Sequence, residues 1–246
     1  MTVAVITGGS RGIGAATAPL LAAQGHDVVL SYLDRADAAA TVVAACEAHG
    51  VRALAVRADM GEPPDIAALF AAADEVGPLG VLVVNAGIVA PQARVEEITA
   101  ERMAKLFAIN VTGAFLCCGE AVRRMSTARG GPGGVIVPVS SAAARLGGSG
   151  RYVDYAASKG AIDTLTVGLA LEVAGEGIRV AGVRPGIIDT EIHASGGAPG
   201  RAHTAGAQTP LGRPGTAQEV AGAIAWLCSD AASYVTGTIL DVAGGR

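Results

Sequence analysis

A tyrosine and a lysine stand four residues apart in the segment Tyr155-Ala-Ala-Ser-Lys159. On a helix, residues i and i+4 lie on one face, so these two side chains can act together. A free tyrosine has a pKa of about 10, and a nearby ammonium group lowers that value. A phenol tuned in this way can protonate a carbonyl oxygen or take a proton from an alcohol. The alternative is an exposed helical pair without chemistry, because this spacing also occurs by chance.

Other polar residues accompany this pair. Ser140 and Ser141 end a predicted strand shortly before it, and Asn110 lies inside a predicted long helix. Asparagine costs helix propensity, so its side chain there needs a water or a carbonyl group as a partner, or else belongs to an ordinary polar face. Tyr152 is followed four residues later by Ala156 and not by a lysine, so it does not repeat the pattern.

A glycine-rich turn follows the first apolar run, with the sequence Thr7-Gly8-Gly9-Ser10-Arg11-Gly12-Ile13-Gly14. Glycines let the backbone approach a pyrophosphate, and the N-terminus of the next helix attracts its charge. The spacing differs from Gly-x-Gly-x-x-Gly, and a plain tight turn is the alternative. Its position between the first strand and the first helix favours a dinucleotide site.

Apolar runs alternate with helical patterns along the whole chain, which is typical of a doubly wound parallel sheet. Strands are predicted at residues 3–7, 27–31, 52–57, 81–84, 135–139, 178–183 and 238–242. Helices are predicted at residues 14–24, 36–49, 64–76, 99–128, 152–174 and 216–229. We therefore predict a single Rossmann-like α/β domain over residues 1–246, with a seven-stranded parallel sheet and helices on both faces. Residues 187–214 are rich in glycine, alanine and proline, and are predicted to form an irregular substrate loop.

The composition narrows the class of protein. Of the 246 residues, 51% are hydrophobic and 3% are aromatic, and the net charge is −4. The chain has no basic surplus for nucleic acid, and no uninterrupted apolar run reaches the length that crosses a bilayer. The four cysteines and four histidines form no metal-binding pattern, so no metal is predicted. A cytoplasmic enzyme that acts on a small molecule, without a leader segment, is the simplest interpretation.

Together these motifs resemble the short-chain dehydrogenase/reductase family over essentially the whole chain. Asp59 after the third strand, Asn85-Ala86-Gly87 after the fourth and Pro185-Gly186 after the sixth also match. The pattern is similar to bacterial 3-oxoacyl reductases and glucose-dehydrogenase-like members, but no residue identifies a substrate. In two departures, Val84 replaces the first asparagine of Asn-Asn-Ala-Gly, and Arg184, to which we assign no role, precedes Pro185.

The resemblance implies roles for individual residues. Ser141 is expected to bond the substrate oxygen, although Ser140 stays open because the segment up to Tyr155 is longer than usual. Asn110 is expected to bind a water that connects Lys159 to solvent, while Tyr155 acts as general acid and base. A nicotinamide cofactor is expected to contact Gly8, Ser10, Arg11, Gly12, Ile13, Gly14, Ser31, Tyr32, Asp59, Met60, Asn85, Ala86, Gly87, Tyr155, Lys159, Pro185, Gly186, Ile188 and Thr190.

The end of the second strand bears on the choice of cofactor. Enzymes that use NAD usually place an acidic residue there to bond the ribose 2′-hydroxyl. Here the strand ends Leu30-Ser31-Tyr32, which is neutral, and Arg11 lies in the turn where similar reductases bind the 2′-phosphate. We predict that NADP(H) is preferred and that NAD(H) is possible, with a solvated turn arginine as the alternative for Arg11.

We therefore predict an NADP(H)-dependent oxidoreductase that interconverts a ketone or aldehyde and an alcohol. The alternatives are an NAD(H)-dependent alcohol or sugar dehydrogenase, an epimerase or dehydratase on the same fold, and a non-catalytic dinucleotide sensor. Substrate selection is expected from residues 88–92, 142–152 and 187–214, where His193 and His203 are more easily explained as solvated than as ligands. The resemblance also implies a homotetramer, paired through the long helices and the last strand.

Overall fold

The computed structural model describes residues 1–246, apart from the side chains of His193 and Ser195. Six parallel strands form the central sheet in the order β3-β2-β1-β4-β5-β6. The strands are β1 (Val3–Ile6), β2 (Asp27–Tyr32), β3 (Ala53–Arg57), β4 (Leu79–Val84), β5 (Gly134–Pro138), β6 (Ile178–Val180), β7 (Gly182–Pro185), β8 (Ile188–Asp189), β9 (Gly215–Thr216) and β10 (Ile239–Val242). The strand order reverses between β1 and β4, and such folds bind ligands at this point of the sheet.

The sixth predicted strand is interrupted at Ala181, so that β6 and β7 are its two halves. The last strand, β10, pairs in parallel with β7. A bridge between Val139 and Val183 connects β7 to the end of β5. All seven predicted strands are therefore present, but only six share one continuous ladder and the seventh extends the sheet through β7.

Helices cover both faces of the sheet, as predicted. They are α1 (Gly12–Ala23), α2 (Ala36–Glu47), α3 (Pro63–Val76), α4 (Ala100–Phe107), α5 (Ala114–Met125), α6 (Ala143–Leu146), α7 (Val153–Val173), α8 (Ile192–Ser195), α9 (Arg201–Gly206) and α10 (Ala217–Cys228). Short 3₁₀ turns lie at Val95–Glu97, Thr127–Arg129, Ala174–Glu176 and Asp230–Ala232. One core cluster includes residues of α3, α5 and α7, and the other includes residues of α1, α2 and α10. The doubly wound α/β class is thus confirmed.

The predicted helix at residues 99–128 is divided into α4 and α5 by a π-helical turn at Ala108–Gly113. The backbone of Met60 packs against this turn so closely that a Cβ at Gly113 would lie 2.0 Å from the Met60 carbonyl oxygen. The wider turn holds Asn110 in the interior, and π turns are frequent at functional sites.

The combined helix Ala100–Met125 is long and apolar enough to cross a membrane by length and composition. The core helix of a soluble protein passes the same test. In this fold α5 packs on the sheet, with its buried side chains in the larger core cluster: Ala114, Cys117, Cys118, Ala121 and Met125.

The substrate loop predicted at residues 187–214 is less irregular than expected, because it contains β8, α8 and α9. The strand β8 pairs in parallel with β9, which immediately precedes α10. Thr216 caps α10 and forms a capping box with Glu219, which also pairs with Arg213 at 2.6 Å. These contacts hold the two ends of the loop together beside the C-terminal edge of the sheet.

Candidate active site

The glycine-rich turn is tied to the end of β2. The backbone N–H of Gly8 donates to the Ser31 hydroxyl at 2.9 Å, and that of Gly9 donates to the Ser31 carbonyl at 2.8 Å. Gly8 has φ +64°, a left-handed conformation that favours glycine. Ser31 is buried and supports the turn through these two hydrogen bonds. The neighbouring Tyr32 is half-buried at the strand end. Their contacts with a cofactor stay predictions.

The turn has the form of a cradle for a phosphate group. A Cβ at Gly14 would lie 2.5 Å from the Gly8 carbonyl oxygen and 2.7 Å from the Asn85 amide nitrogen, so only glycine fits there. Arg11 precedes α1, and no side chain caps the N–H groups of the first helical turn. Uncapped N–H groups at a helix N-terminus favour an anion, and the residues present therefore fit the pyrophosphate of a dinucleotide.

Asn85 joins the ends of β1 and β4. Its side-chain amide donates to the carbonyl oxygens of Thr7 and Gly8, both at 2.9 Å. In return, the Thr7 hydroxyl accepts from the backbone N–H groups of Asn85 and Ala86, both at 3.0 Å. Val84, which replaces the first asparagine of the motif, is buried in the core. The sequence interpretation quoted Thr7 as the first residue of the turn but assigned it no role.

The loop after β3 is also held by its own polar groups. The Asp59 carboxylate accepts from the Gly61 N–H at 2.8 Å, and the Asp59 N–H donates to Asp65 at 2.8 Å. Met60 is buried against the π-helical turn, so its side chain belongs to the core. Asp59 remains half-buried just after β3, and its contact with a cofactor stays a prediction.

Pro185 is the last residue of β7, and Gly186 follows it directly. The Pro185 carbonyl accepts from the Ala142 N–H at 2.9 Å, which attaches this segment to the loop after β5. Ile188 is buried. The methyl carbon of Thr190 lies 3.5 Å from the position that a Cβ would take at Gly12, so the fold brings β8 and the phosphate cradle together.

Ser141 and Tyr155 meet at the C-terminal end of β5. The Ser141 hydroxyl lies beside the Tyr155 phenol and accepts a hydrogen bond from the Ala143 N–H at 3.1 Å. Burial raises the pKa of Tyr155 above its usual value, and the neighbouring Ser141 hydroxyl opposes this shift. The predicted lowering by an ammonium is therefore not the dominant effect, because the Lys159 Nζ lies 5.8 Å from the centre of the Tyr155 ring.

Lys159 is buried one helical turn after Tyr155. Its Nζ donates to the Val139 carbonyl oxygen at 2.8 Å. Burial lowers the pKa of Lys159 to about 8, while the charge of Asp163 opposes that shift. Because an ammonium in a low-dielectric site acts strongly on its neighbours, Lys159 is suited to stabilising negative charge on the phenol.

Asn110 reaches the same group of side chains from the π-helical turn. Its amide oxygen accepts from the Ile88 N–H at 2.8 Å, and its amide nitrogen donates to the Ile88 carbonyl at 2.9 Å. That nitrogen also donates to the Ser158 hydroxyl at 3.1 Å. Gly87 lies between the two predicted catalytic groups, since a Cβ there would be 3.3 Å from Asn110 and 3.4 Å from Lys159. Asn110, Ser141, Tyr155 and Lys159 therefore converge as predicted.

The sequence interpretation missed an ionic network behind this group. Asp163 accepts from Ser140 at 2.6 Å and from Arg184 at 2.9 Å. Arg184, to which no role had been assigned, also lies 3.6 Å from Asp241. The spacing of four residues between Lys159 and Asp163 could have indicated that both lie on one face of the helix. No local spacing connects Asp163 to Arg184.

The basic residues near β2 and the turn share an acidic neighbour. Arg11 forms an ion pair with Glu191 at 3.5 Å, so it contacts the substrate loop. Hydrogen bonding to Asp37 and the nearby charge of Glu191 raise the pKa of Arg35. Arg35 is a second basic group at this end of the site and forms an ion pair with Asp37 at 3.2 Å. His203 lies 3.9 Å from Asp189 and is exposed, and the side chain of His193 lies outside the described residues.

A comparison with known proteins agrees with this geometry. A family profile described as enoyl-(acyl carrier protein) reductase matches residues 8–246. An uncharacterized oxidoreductase, YgfF of Escherichia coli, is 55% identical over 247 residues, which cover 100% of both chains. A cis-4-hydroxycyclohexanecarboxylate dehydrogenase of Sinomonas cyclohexanicum is 45% identical over 99% of this chain and 95% of its own. The chain belongs to the short-chain dehydrogenase/reductase family, a family of oxidoreductases.

Solved structures show the same fold. A blue fluorescent protein from a metagenomic library, in complex with NADPH, has a TM-score of 0.90 and 35% identity over 99% of this chain and 97% of its own. A 3-ketoacyl-(acyl-carrier-protein) reductase from Brucella melitensis, complexed with NADH, has a TM-score of 0.89 and 31% identity over 100% and 98%. Relatives of this chain thus bind either nicotinamide dinucleotide.

Proposed function

We propose that this chain is an NADP(H)-dependent oxidoreductase that interconverts a ketone or aldehyde and an alcohol. The observation that carries the proposal is the position of the Ser141 hydroxyl beside Tyr155, with the buried Lys159 one helical turn further on. This group stands at the strand ends next to a glycine cradle, where a substrate oxygen and a dinucleotide can be brought together. A protein that only senses a dinucleotide does not need the group of Ser141, Tyr155 and Lys159.

In the proposed mechanism each side chain has a separate task, and the bound nicotinamide supplies or accepts the hydride. The Ser141 hydroxyl holds the oxygen of the substrate. Tyr155 donates its phenolic proton to that oxygen during reduction and takes a proton from the alcohol during oxidation. The Lys159 ammonium stabilises the phenolate that remains, and Asn110 holds the neighbouring backbone at Ile88.

The preference for NADP(H) rests on charge. The last residues of β2 are Ser31 and Tyr32, and neither is acidic. Arg11 forms an ion pair with Glu191, and the charge of Glu191 also contributes to the raised pKa of Arg35. Arg35 also pairs with Asp37 at 3.2 Å, but each of the two guanidinium groups has further N–H groups that can donate hydrogen bonds to a 2′-phosphate. Fluorescence titration with NADPH and NADH tests this proposal, and tighter binding of NADH contradicts it.

The alternatives predict different results in one screen of ketones and aldehydes with both cofactors. An NAD(H)-dependent alcohol or sugar dehydrogenase works only with NADH, and a sensor binds the dinucleotide without turnover. A 4-oxocyclohexanecarboxylate substrate belongs in the screen, because a relative is named for the corresponding alcohol. Loss of nicotinamide absorbance in the wild type, and its absence in Tyr155→Phe, supports the proposal.

We further propose that the chain forms a homotetramer. Phe115 on α5 and Leu171 on α7 are exposed by 50% and 79%, and Leu240 is exposed on the outer strand β10. Apolar side chains on helix faces and an edge strand are suited to pairing with a second copy. Sedimentation at micromolar concentration tests this, and a monomer contradicts it.

A cytoplasmic location is proposed on the basis of the thiols. The cysteines are free, and burial raises the pKa of Cys46 to about 11 and that of Cys117 to about 12. Unreactive free thiols are usual in a reducing compartment. Cell fractionation tests the proposal, which recovery outside the cytoplasm contradicts.

A further inference from the structure

Arg201 begins the short helix α9 inside the substrate loop. Its guanidinium carbon lies 5.2 Å from the centre of the Tyr152 ring, and both side chains are half-buried. Within the described part of the chain, Arg201 has no ion pair. The other arginine of the loop, Arg213, is neutralised by Glu219 at 2.6 Å, and Arg11 beside the loop pairs with Glu191. Arg201 is thus an uncompensated positive charge held against an aromatic face.

The position of Tyr152 connects this charge to the proposed reacting group. Tyr152 directly precedes α7, and its carbonyl accepts the first helical hydrogen bond from Ala156 at 2.8 Å. Its backbone N–H donates to the Gly148 carbonyl at 2.8 Å, which holds it at the helix entrance. Tyr152 precedes Tyr155 by three positions, or ~5 Å along a helix axis. Arg201 therefore contacts a residue that lies about one helical turn before the proposed proton donor.

Three loops meet around this pair. The Ala93 N–H donates to the Arg151 carbonyl at 3.0 Å, so the loop after β4 is attached to the segment before α7. A Cβ at Gly197 would lie 3.9 Å from the Pro91 ring, so the substrate loop reaches the same place. These are the segments predicted to select the substrate, and Arg201 is the basic side chain that stacks across two of them.

Stacking leaves the donor groups of a guanidinium available. A guanidinium has five N–H donors that match the two oxygens of a carboxylate, and a cation–π contact does not use them all. An arginine held by a ring also loses less conformational freedom when it binds. We infer that Arg201, positioned by Tyr152, binds a substrate carboxylate remote from the reacting carbon, so that the substrates are oxo acids and hydroxy acids.

The inference rests on the proposed function, and isosteric substrates test it. With NADPH, we compare reduction of 4-oxocyclohexanecarboxylate and of its neutral carboxamide by the wild type, Arg201→Met and Arg201→Lys. Arg201→Met is expected to lower kcat/KM for the carboxylate by about 10- to 100-fold, mainly through KM, and to change the carboxamide by less than about threefold. Arg201→Lys should recover part of the loss, since the charge remains. The control Arg129→Met, at an exposed arginine in the Thr127–Arg129 turn outside the three loops that meet around Arg201, should leave both substrates unchanged.

Equal losses on both substrates would mean that Arg201 only packs the loop, and would overturn the inference. Wild-type enzyme that reduces neutral ketones but shows no preference for the carboxylate also overturns it, while the proposed function stands. If nothing is reduced, the proposed function fails, and calorimetric titration of cyclohexanecarboxylate into the protein with NADPH tests the site directly. Binding to the wild type that weakens in Arg201→Met supports the inference, whereas no binding or unchanged binding overturns it.

Discussion

The Ser140 hydroxyl donates to the Asp163 carboxylate at 2.6 Å, so it is directed away from the predicted proton donor Tyr155. Ser141, the next residue, contacts Tyr155 instead. Successive side chains of an extended segment point to opposite sides, so only one of two adjacent serines can face the site. This orientation favours Ser141 for the substrate oxygen and gives Ser140 a supporting contact with α7.

Replacement of Ser141 is expected to lower the reaction rate, whereas replacement of Ser140 is expected to lower the stability of the fold. Ser141→Ala removes a hydrogen bond to the substrate oxygen, so kcat should fall by about 10²-fold with little change in thermal stability. Ser140→Ala leaves the half-buried Asp163 with fewer partners and should destabilise the fold by about 1–3 kcal/mol. Steady-state kinetics and urea unfolding of both variants check this, and a full kcat in Ser141→Ala speaks against its assignment.

Removal of the phenolic hydroxyl should abolish turnover without preventing cofactor binding. Tyr155→Phe keeps the ring and its packing but can neither donate nor accept the proton, so kcat should fall by about 10²- to 10⁴-fold. NADPH affinity, followed by fluorescence, should stay close to that of the wild type. Wild-type turnover in this variant is the outcome that the mechanism cannot accommodate.

The buried Lys159 should make the protein less stable near neutral pH. Its pKa falls from 10.5 to about 8 on folding, so above pH 10.5 the lysine is neutral in both states and burial of its charge costs nothing. Between pH 10.5 and 8 the unfolded chain takes up the proton first, and the free energy of unfolding decreases as the pH falls. Below pH 8 the penalty is complete and amounts to ~3 kcal/mol.

Lys159→Met is therefore expected to stabilise the protein by about 2 kcal/mol at pH 7, because the lost bond to Val139 offsets part of the gain. The difference between variant and wild type should shrink as the pH rises toward 10.5. Urea unfolding at pH 7 and at pH 10 measures both effects. A variant that is less stable than the wild type at pH 7 contradicts the assignment.

The loss of the ion pair between Arg102 and Asp154 should lower the free energy of unfolding more than the loss of an exposed ion pair. Arg102 on α4 donates to Asp154 at 2.7 Å, and the aspartate side chain is fully buried. Arg102→Met leaves that carboxylate without its counter-charge and should cost about 3–5 kcal/mol. Arg102→Met combined with Asp154→Leu should restore most of the loss in urea unfolding. An additive double mutant would show that the two groups do not interact.

Two features of the site were predictable from the sequence because each is formed by residues that are close together in the chain. The turn from Gly8 to Gly14 and the pair Tyr155 and Lys159 each lie within one strand–helix junction or one helical turn. Their spacing alone determines which face they share. The alternation of apolar runs predicted seven strands and the α/β class for the same reason, although not the break at Ala181.

What the sequence by itself determined is thus the class of fold and the types of residue at the site. Only the tertiary structure decided which serine faces Tyr155, how far the pKa of Lys159 falls, and that Arg201 reaches Tyr152. These properties arise from burial and from contacts between residues far apart in the chain. A side chain's charge and direction depend on what packs against it, and no local spacing contains that information.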